Sequence, residues 1–177
     1  GSKSTAIGYA ALKDQNFTTA TDSFNVAVGH LAGENVTTGV QNTLVGPEVA
    51  KTLTTGNYNV AVGRRALQND QQGSRSVAIG YNALFAQQFT TATNALNIAI
   101  GFDAGQAITT GTQNTIVGSN AGDAITDGSA NSCFGMEAGS NITGGSNIMC
   151  IGHDSGLTGS PGGNITTGSN TMVLGDE

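Results

Sequence analysis

The chain has 177 residues, of which 27 are glycine and none tryptophan, with 10% charged and a formal net charge of −6. So much glycine with so little charge and aromatic bulk excludes a conventional globular core. All six basic residues precede residue 76, where five acids stand, and the other seven acids follow; such a surface, without a Lys/Arg stripe, excludes nucleic acid as a partner.

From the first residues onward, short apolar runs end in a glycine, at Gly8, Gly29, Gly46, Gly63, Gly80, Gly101, Gly118, Gly135, Gly152 and Gly175. The spacing is 17 residues, lengthened to 21 after Gly8 and Gly80 and to 23 after Gly152, so a 72-residue super-repeat occurs twice and begins a third time. Residues 7–29 and 79–101 match at most positions, including the FTTAT insert that lengthens the coil. Self-similarity at fixed period predicts an elongated stack in which each unit buries its apolar face on its neighbours, and the constant phase of the apolar residues sets the chain apart from disordered low-complexity sequence. The expected fold is all-β: a parallel β-roll or β-solenoid of about ten short coils.

Counting from each anchor glycine as zero, position −1 is large and apolar (Ile7, Val28, Val45 and so on), and −2 is apolar again (Ala6, Ala27, Leu44, Ala61). Adjacent residues of a strand face opposite ways, so this strand is expected to be dry on both sides. One face packs inside the roll and the other needs a cover, for which a second copy of the chain is the natural candidate. Position −4 is Asn at 25, 42, 59, 97, 114 and 131, with Ser4 and Ser76, which predicts a stacked turn bonded through side-chain amides. Position +3 is nearly always Ala, and a second short strand is expected there. Thr-Thr-Gly or a relative closes most coils, with glycine expected to take a positive-φ turn.

The recurring string of Asn, then Ser, Thr or Val, any residue, Val or Ile, and Gly, followed two residues later by Ala and Gly or Leu, resembles the head repeats of trimeric autotransporter adhesins. Its longer form, closed by Thr-Thr-Gly, is similar to repeats in phage tail-fibre proteins. The resemblance covers Ser4 to Gly175 and implies a homotrimeric, left-handed parallel β-roll whose apolar strands line the threefold axis. It implies a structural and host-attachment segment of a viral tail fibre or surface adhesin, at the virion surface or extracellular cell surface, with a host-surface glycan or protein as receptor. The 17-residue coil, the inserts and the long last coil depart from adhesin heads and favour the fibre form. On this reading Gly1-Ser2 is a cloning scar and residues 3–177 are a single repeat domain, a fragment of a longer fibre.

Catalytic chemistry has little to work with. His30 and His153 share the variable +1 row, neither recurs as His 72 residues away, and no cluster of Cys, His and carboxylates has metal-ligand spacing, so neither enzyme activity nor a metal or cofactor is expected. No apolar stretch approaches the ~20 residues that span a bilayer, and membrane insertion is not expected. The candidate receptor contacts are Tyr9, His30, Arg64, Tyr81 and Phe102 of the +1 row, with Phe17 and Phe89 of the inserts. The row serves either sugar stacking or packing against a neighbouring chain, with packing favoured; the inserts are expected to project as matching bulges, as recognition loops or as spacers. A purely structural shaft and an ice-binding solenoid, the latter from the threonine pairs, are the competing functions. Cys133 and Cys150, one repeat apart in the −2 row, are expected to be buried free thiols.

Overall fold

The computed structural model describes residues 3–159 and 163–175; the expected cloning scar at residues 1–2 lies outside them. Each anchor glycine follows a strand of three or four residues: β1 (Thr5–Ile7), β2 (Val26–Val28), β3 (Thr43–Val45), β4 (Val60–Val62), β6 (Val77–Ile79), β8 (Ile98–Ile100), β9 (Thr115–Val117), β10 (Ser132–Phe134), β11 (Ile148–Ile151) and β12 (Thr171–Leu174). Two further strands, β5 (Gly73–Ser74) and β7 (Thr93–Asn94), pair with each other beside the second insert. The ten glycine-anchored strands stack in sequence order as one parallel sheet, with like positions in register, Ala27 opposite Leu44 and Cys133 opposite Cys150. The protein is an all-β solenoid, and at ~4.8 Å per strand its sheet extends about 43 Å along the axis.

The core is the inner side of that sheet closed over by the rest of each coil. Position −2 is fully buried from Ala27 to Cys150, and so are the +3 row from Ala32 to Ala138 and the large residues at +7, Val36, Leu53, Ile108, Ile125 and Ile142. In four of the coils volumes compensate between rows. Ala61 and Ala78 at −2 share their coils with Leu67 and Leu84 at +4, whereas Ile116 and Cys133 share theirs with Gly122 and Gly139. A Cβ on Gly139 would lie 2.7 Å from Cys133 Sγ, so the thiol fills the space the glycine leaves.

Amide ladders hold the coils in register. The buried Asn42 side chain donates from Nδ2 to the Gly56 carbonyl at 2.9 Å and accepts the Asn59 N–H on Oδ1 at 2.9 Å, and Asn114 repeats this with Gly128 and Asn131. Each Asn thus satisfies two backbone groups of the next coil that no strand ladder reaches.

Two local expectations are corrected. The second strand after the anchor glycine does not form; that stretch is a run of turns in which positions +2 and +4 take left-handed backbone, as at Leu31 (φ 58) and Ala50 (φ 43). The cost of placing such residues there is offset by hydrogen bonds along the axis. The +2 N–H reaches back to the previous coil, Leu31 to Tyr9 O at 2.8 Å, and the +4 N–H reaches forward, Ala50 to Ala66 O at 2.9 Å. The Thr-Thr-Gly glycines, for their part, do not adopt positive φ. They are small because the next coil is close: a Cβ on Gly39 would sit 2.5 Å from Gly56 O.

Candidate interaction face

Strand alternation that turns −2 inward turns −1 and −3 outward, so the sheet's outer surface carries two parallel columns, an apolar one at −1 and a mixed one at −3 in which Thr5, Thr43, Thr115 and Ser132 alternate with Val, Ile and Met. They are half-buried at Val28, Val45, Val62 and Ile79 and exposed at Ile98, Ile100, Phe134, Ile151 and Leu174. Within the single chain the strand is therefore dry on one face only. The columns are flanked by the +1 row on one side and the −5 row, another left-handed position, on the other. Every exposed large hydrophobic residue among those described, from Ile7 to Leu174, belongs to one of these four rows. The concentration of these residues on a single side, with none on the other faces among the described residues, makes this side the candidate interaction surface.

Aromatic and cationic groups line its edges. In the +1 row Tyr9 and His30 stack at 5.5 Å between centroids, Tyr81 and Phe102 at 5.2 Å, and the Arg64 guanidinium lies over the Tyr81 ring at 5.8 Å. In the −5 row Lys3 lies over Phe24 and Arg75 over Tyr58. Five of the seven sequence-derived candidates thus share one edge in two groups, Tyr9 with His30 and Arg64 with Tyr81 and Phe102. Tyr81 has one ring face under Arg64 and the other against Phe102, which leaves no face for a sugar. The sequence reading missed the −5 row; its signal was the recurrence of Phe24, Tyr58, Arg75 and Leu96 at one phase.

The insert residues behave differently: Thr90, Thr91 and Ala92 are exposed, but the expectation that Phe89 is presented there as a receptor contact is corrected. Phe89 is only 7% exposed, its N–H donating to Asp70 Oδ1 at 3.0 Å and its carbonyl accepting from Gln72 N, while Phe17 is half-buried. Phe89 is not available to a receptor.

Charges surround the face without entering its columns. Glu34 bridges Lys13 at 2.9 Å and Lys51 at 3.8 Å, and Glu48 accepts from Arg65 Nε at 2.8 Å. The hydrogen bonds from Lys13 and Arg65 hold Glu34 and Glu48 below the ordinary carboxylate range, whereas burial raises Asp123, with Asp103 and Glu137 nearby adding to the shift. Among the described residues no group of three His, Cys, Asp or Glu is placed to hold a metal ion, and no helix is long and apolar enough to cross a membrane. The threonine that opens the closing turn is tied to the stack in five coils: the hydroxyls of Thr37, Thr54, Thr109, Thr126 and Thr143 each donate to a carbonyl of the following coil. No family model matches this chain, and it has no match among curated proteins or solved structures.

Proposed function

We propose that the chain is a structural segment of a trimeric surface fibre, of the viral tail-fibre or adhesin kind, in which three copies bury their sheet faces against one another. The observation that carries this reading is that all the exposed large hydrophobics lie on the four outward rows of one sheet. A stripe of this length along a rigid rod favours parallel association of identical chains, because like rows then meet like rows over every coil. The threefold number comes from the repeat resemblance. Attachment to a host surface is assigned to the rim of the face, where Tyr9 and Phe102 keep an exposed ring, 75% and 52% accessible. The internal use of the first threonine hydroxyls argues against a water-ordering array.

Light scattering on the purified protein tests the assembly, with a mass near three times the 17.7 kDa chain expected. Val62→Lys and Ile79→Lys together place two ammonium groups in the centre of the face and are expected to give folded single chains. A soluble wild-type monomer at micromolar concentration refutes the proposal.

A further inference from the structure

The super-repeat provides an internal control for the solenoid's N-terminal end. Residues 4–25 correspond to 76–97, and the second set has a coil stacked on its N-terminal side whereas β1 is the edge strand of the sheet. The difference shows in matched residues. Ala78 is fully buried and Ala6 exposed; Phe89 is 7% exposed and Phe17 only half-buried.

It is sharpest at the matched glutamines. Gln87 is fully buried, donating from Nε2 to Asp70 Oδ2 at 2.7 Å and to Ser76 Oγ at 3.3 Å, and accepting from Asn97 on Oε1 at 2.9 Å. Asp70, itself fully buried, also accepts the N–H of Gly73 at 3.1 Å and of Phe89 at 3.0 Å. Its carboxyl oxygens thus accept from three donors, two of them from the coil that follows. Gln15 Nε2 is withdrawn from solvent and has no hydrogen-bond partner. An amide hidden without an acceptor carries the full cost of its lost hydration. Asp70 and Gln87 occupy the +7 row, elsewhere filled by Leu53, Ile108 and Ile125, so the two polar residues go together. In the third block the coil before the long coil carries Ile142, and the long coil carries Gly159. Neither member of the pair is then present.

We propose that the N-terminal face of the first coil, formed by Ala6, Gln15 and Phe17, is a docking face for one further parallel coil that carries a carboxylate where Asp70 stands. That coil has the chemistry of residues 64–75, and its acid accepts from Gln15 Nε2 and the Phe17 N–H. A second copy stacked head to tail would bring Gly159, not an acid, to the row that Asp70 occupies.

The test fuses a second copy of residues 59–75 directly ahead of Ser4, in place of residues 1–3, so that the junction repeats Arg75-Ser76. One graft keeps Asp at the position of Asp70 and the other carries Leu, the residue that row holds at position 53. The Asp graft is expected to raise the thermal midpoint and slow hydrogen exchange of the Phe17 amide at least about tenfold, and the Leu graft to leave that amide fast. Equal protection by both grafts overturns the carboxylate requirement, and protection by neither overturns the docking face. Protection of Phe17 in the ungrafted chain that grows with protein concentration assigns the face to a second copy and overturns the proposal. Should a graft fail to fold, two variants of the unfused chain still decide. Gln15→Leu is expected to leave the midpoint unchanged or higher while Gln87→Leu lowers it, and an equal loss from both shows that Gln15 already has its partner.

Discussion

Replacing Asn114 with alanine breaks the amide ladder where it is most regular. Asn114 is fully buried; its Nδ2 donates to the Gly128 carbonyl at 2.9 Å and its Oδ1 accepts the Asn131 N–H at 2.9 Å. Asn97 Oδ1, which also contacts Asn114 Nδ2 at 3.2 Å, keeps the Asn114 backbone N–H at 2.9 Å and is not orphaned. Alanine therefore strands two backbone groups inside the solenoid, one carbonyl and one N–H. At about 1–3 kcal/mol for each unsatisfied group the central expectation is a loss of about 4 kcal/mol. For a chain of this size that lowers the unfolding midpoint by roughly 8–16 °C. Circular dichroism reads the midpoint, and hydrogen exchange at the Asn131 amide reads the mechanism, since that N–H loses its acceptor. Asn114→Asp is the shape-matched control: it keeps an acceptor for Asn131 but sets an oxygen against the Gly128 carbonyl. Burial beside an acceptor raises the folded-state carboxyl pKa, so this variant is expected to be most nearly native below the unfolded carboxylate pKa of about 4 and to lose stability as pH rises from there through the raised folded value. An alanine variant within about 0.5 kcal/mol of the wild type, the margin of an inconsequential substitution, refutes the ladder's role, as does unchanged exchange at Asn131.

Gly46→Ala is expected to cost more than Gly159→Ala in denaturant titration. Both glycines have positive φ, +136° and +109°, and share a strain of about 1–3 kcal/mol, but only at Gly46 does the added Cβ meet backbone, 2.6 Å from Gly63 O. Because Glu34 and Glu48 have lowered pKa values when folded, their contribution is fully present above the unfolded value of about 4.3 and is lost as pH falls through the folded ones; Glu48→Gln should flatten that part of an acid titration of stability. Cys133 and Cys150 are fully buried and free, and the thiol–thiol hydrogen bond and then burial push Cys133 well above the ordinary thiol range. A thiol reagent should find no reactive cysteine in the native protein and two per chain after unfolding, and rapid native labelling would show that the −2 row does not face inward.

What the sequence makes legible is whatever repeats. Period and parallel stacking could be read because ten coils impose the same demand at the same phase, and the Asn column because six of them repeat it; the structure keeps all three. The backbone of the turns was illegible for a physical reason. The left-handed position +2 is imposed by bonds to neighbouring coils, so it accepts Leu31, Glu48, Arg65 or Asp103 with no shared side-chain signal, whereas at +4 the glycines at 33, 105, 122, 139 and 156 were a signal the sequence reading took for close packing alone. The facing of the strand was half legible. Apolar residues at both −1 and −2 say that each side of the strand avoids water, but only the packed coil shows that −2 is closed by the chain itself while −1 is left half-covered. Phe17 and Phe89 mark the limit, since the same FTTAT context buries one ring and leaves the other half open according to whether a coil lies before it. In a solenoid a residue's environment is set by the coil one period away, so departures from the repeat matter most when read in pairs. Asp70 is an unexplained charge in an apolar row until Gln87, 17 residues on, is placed beside it.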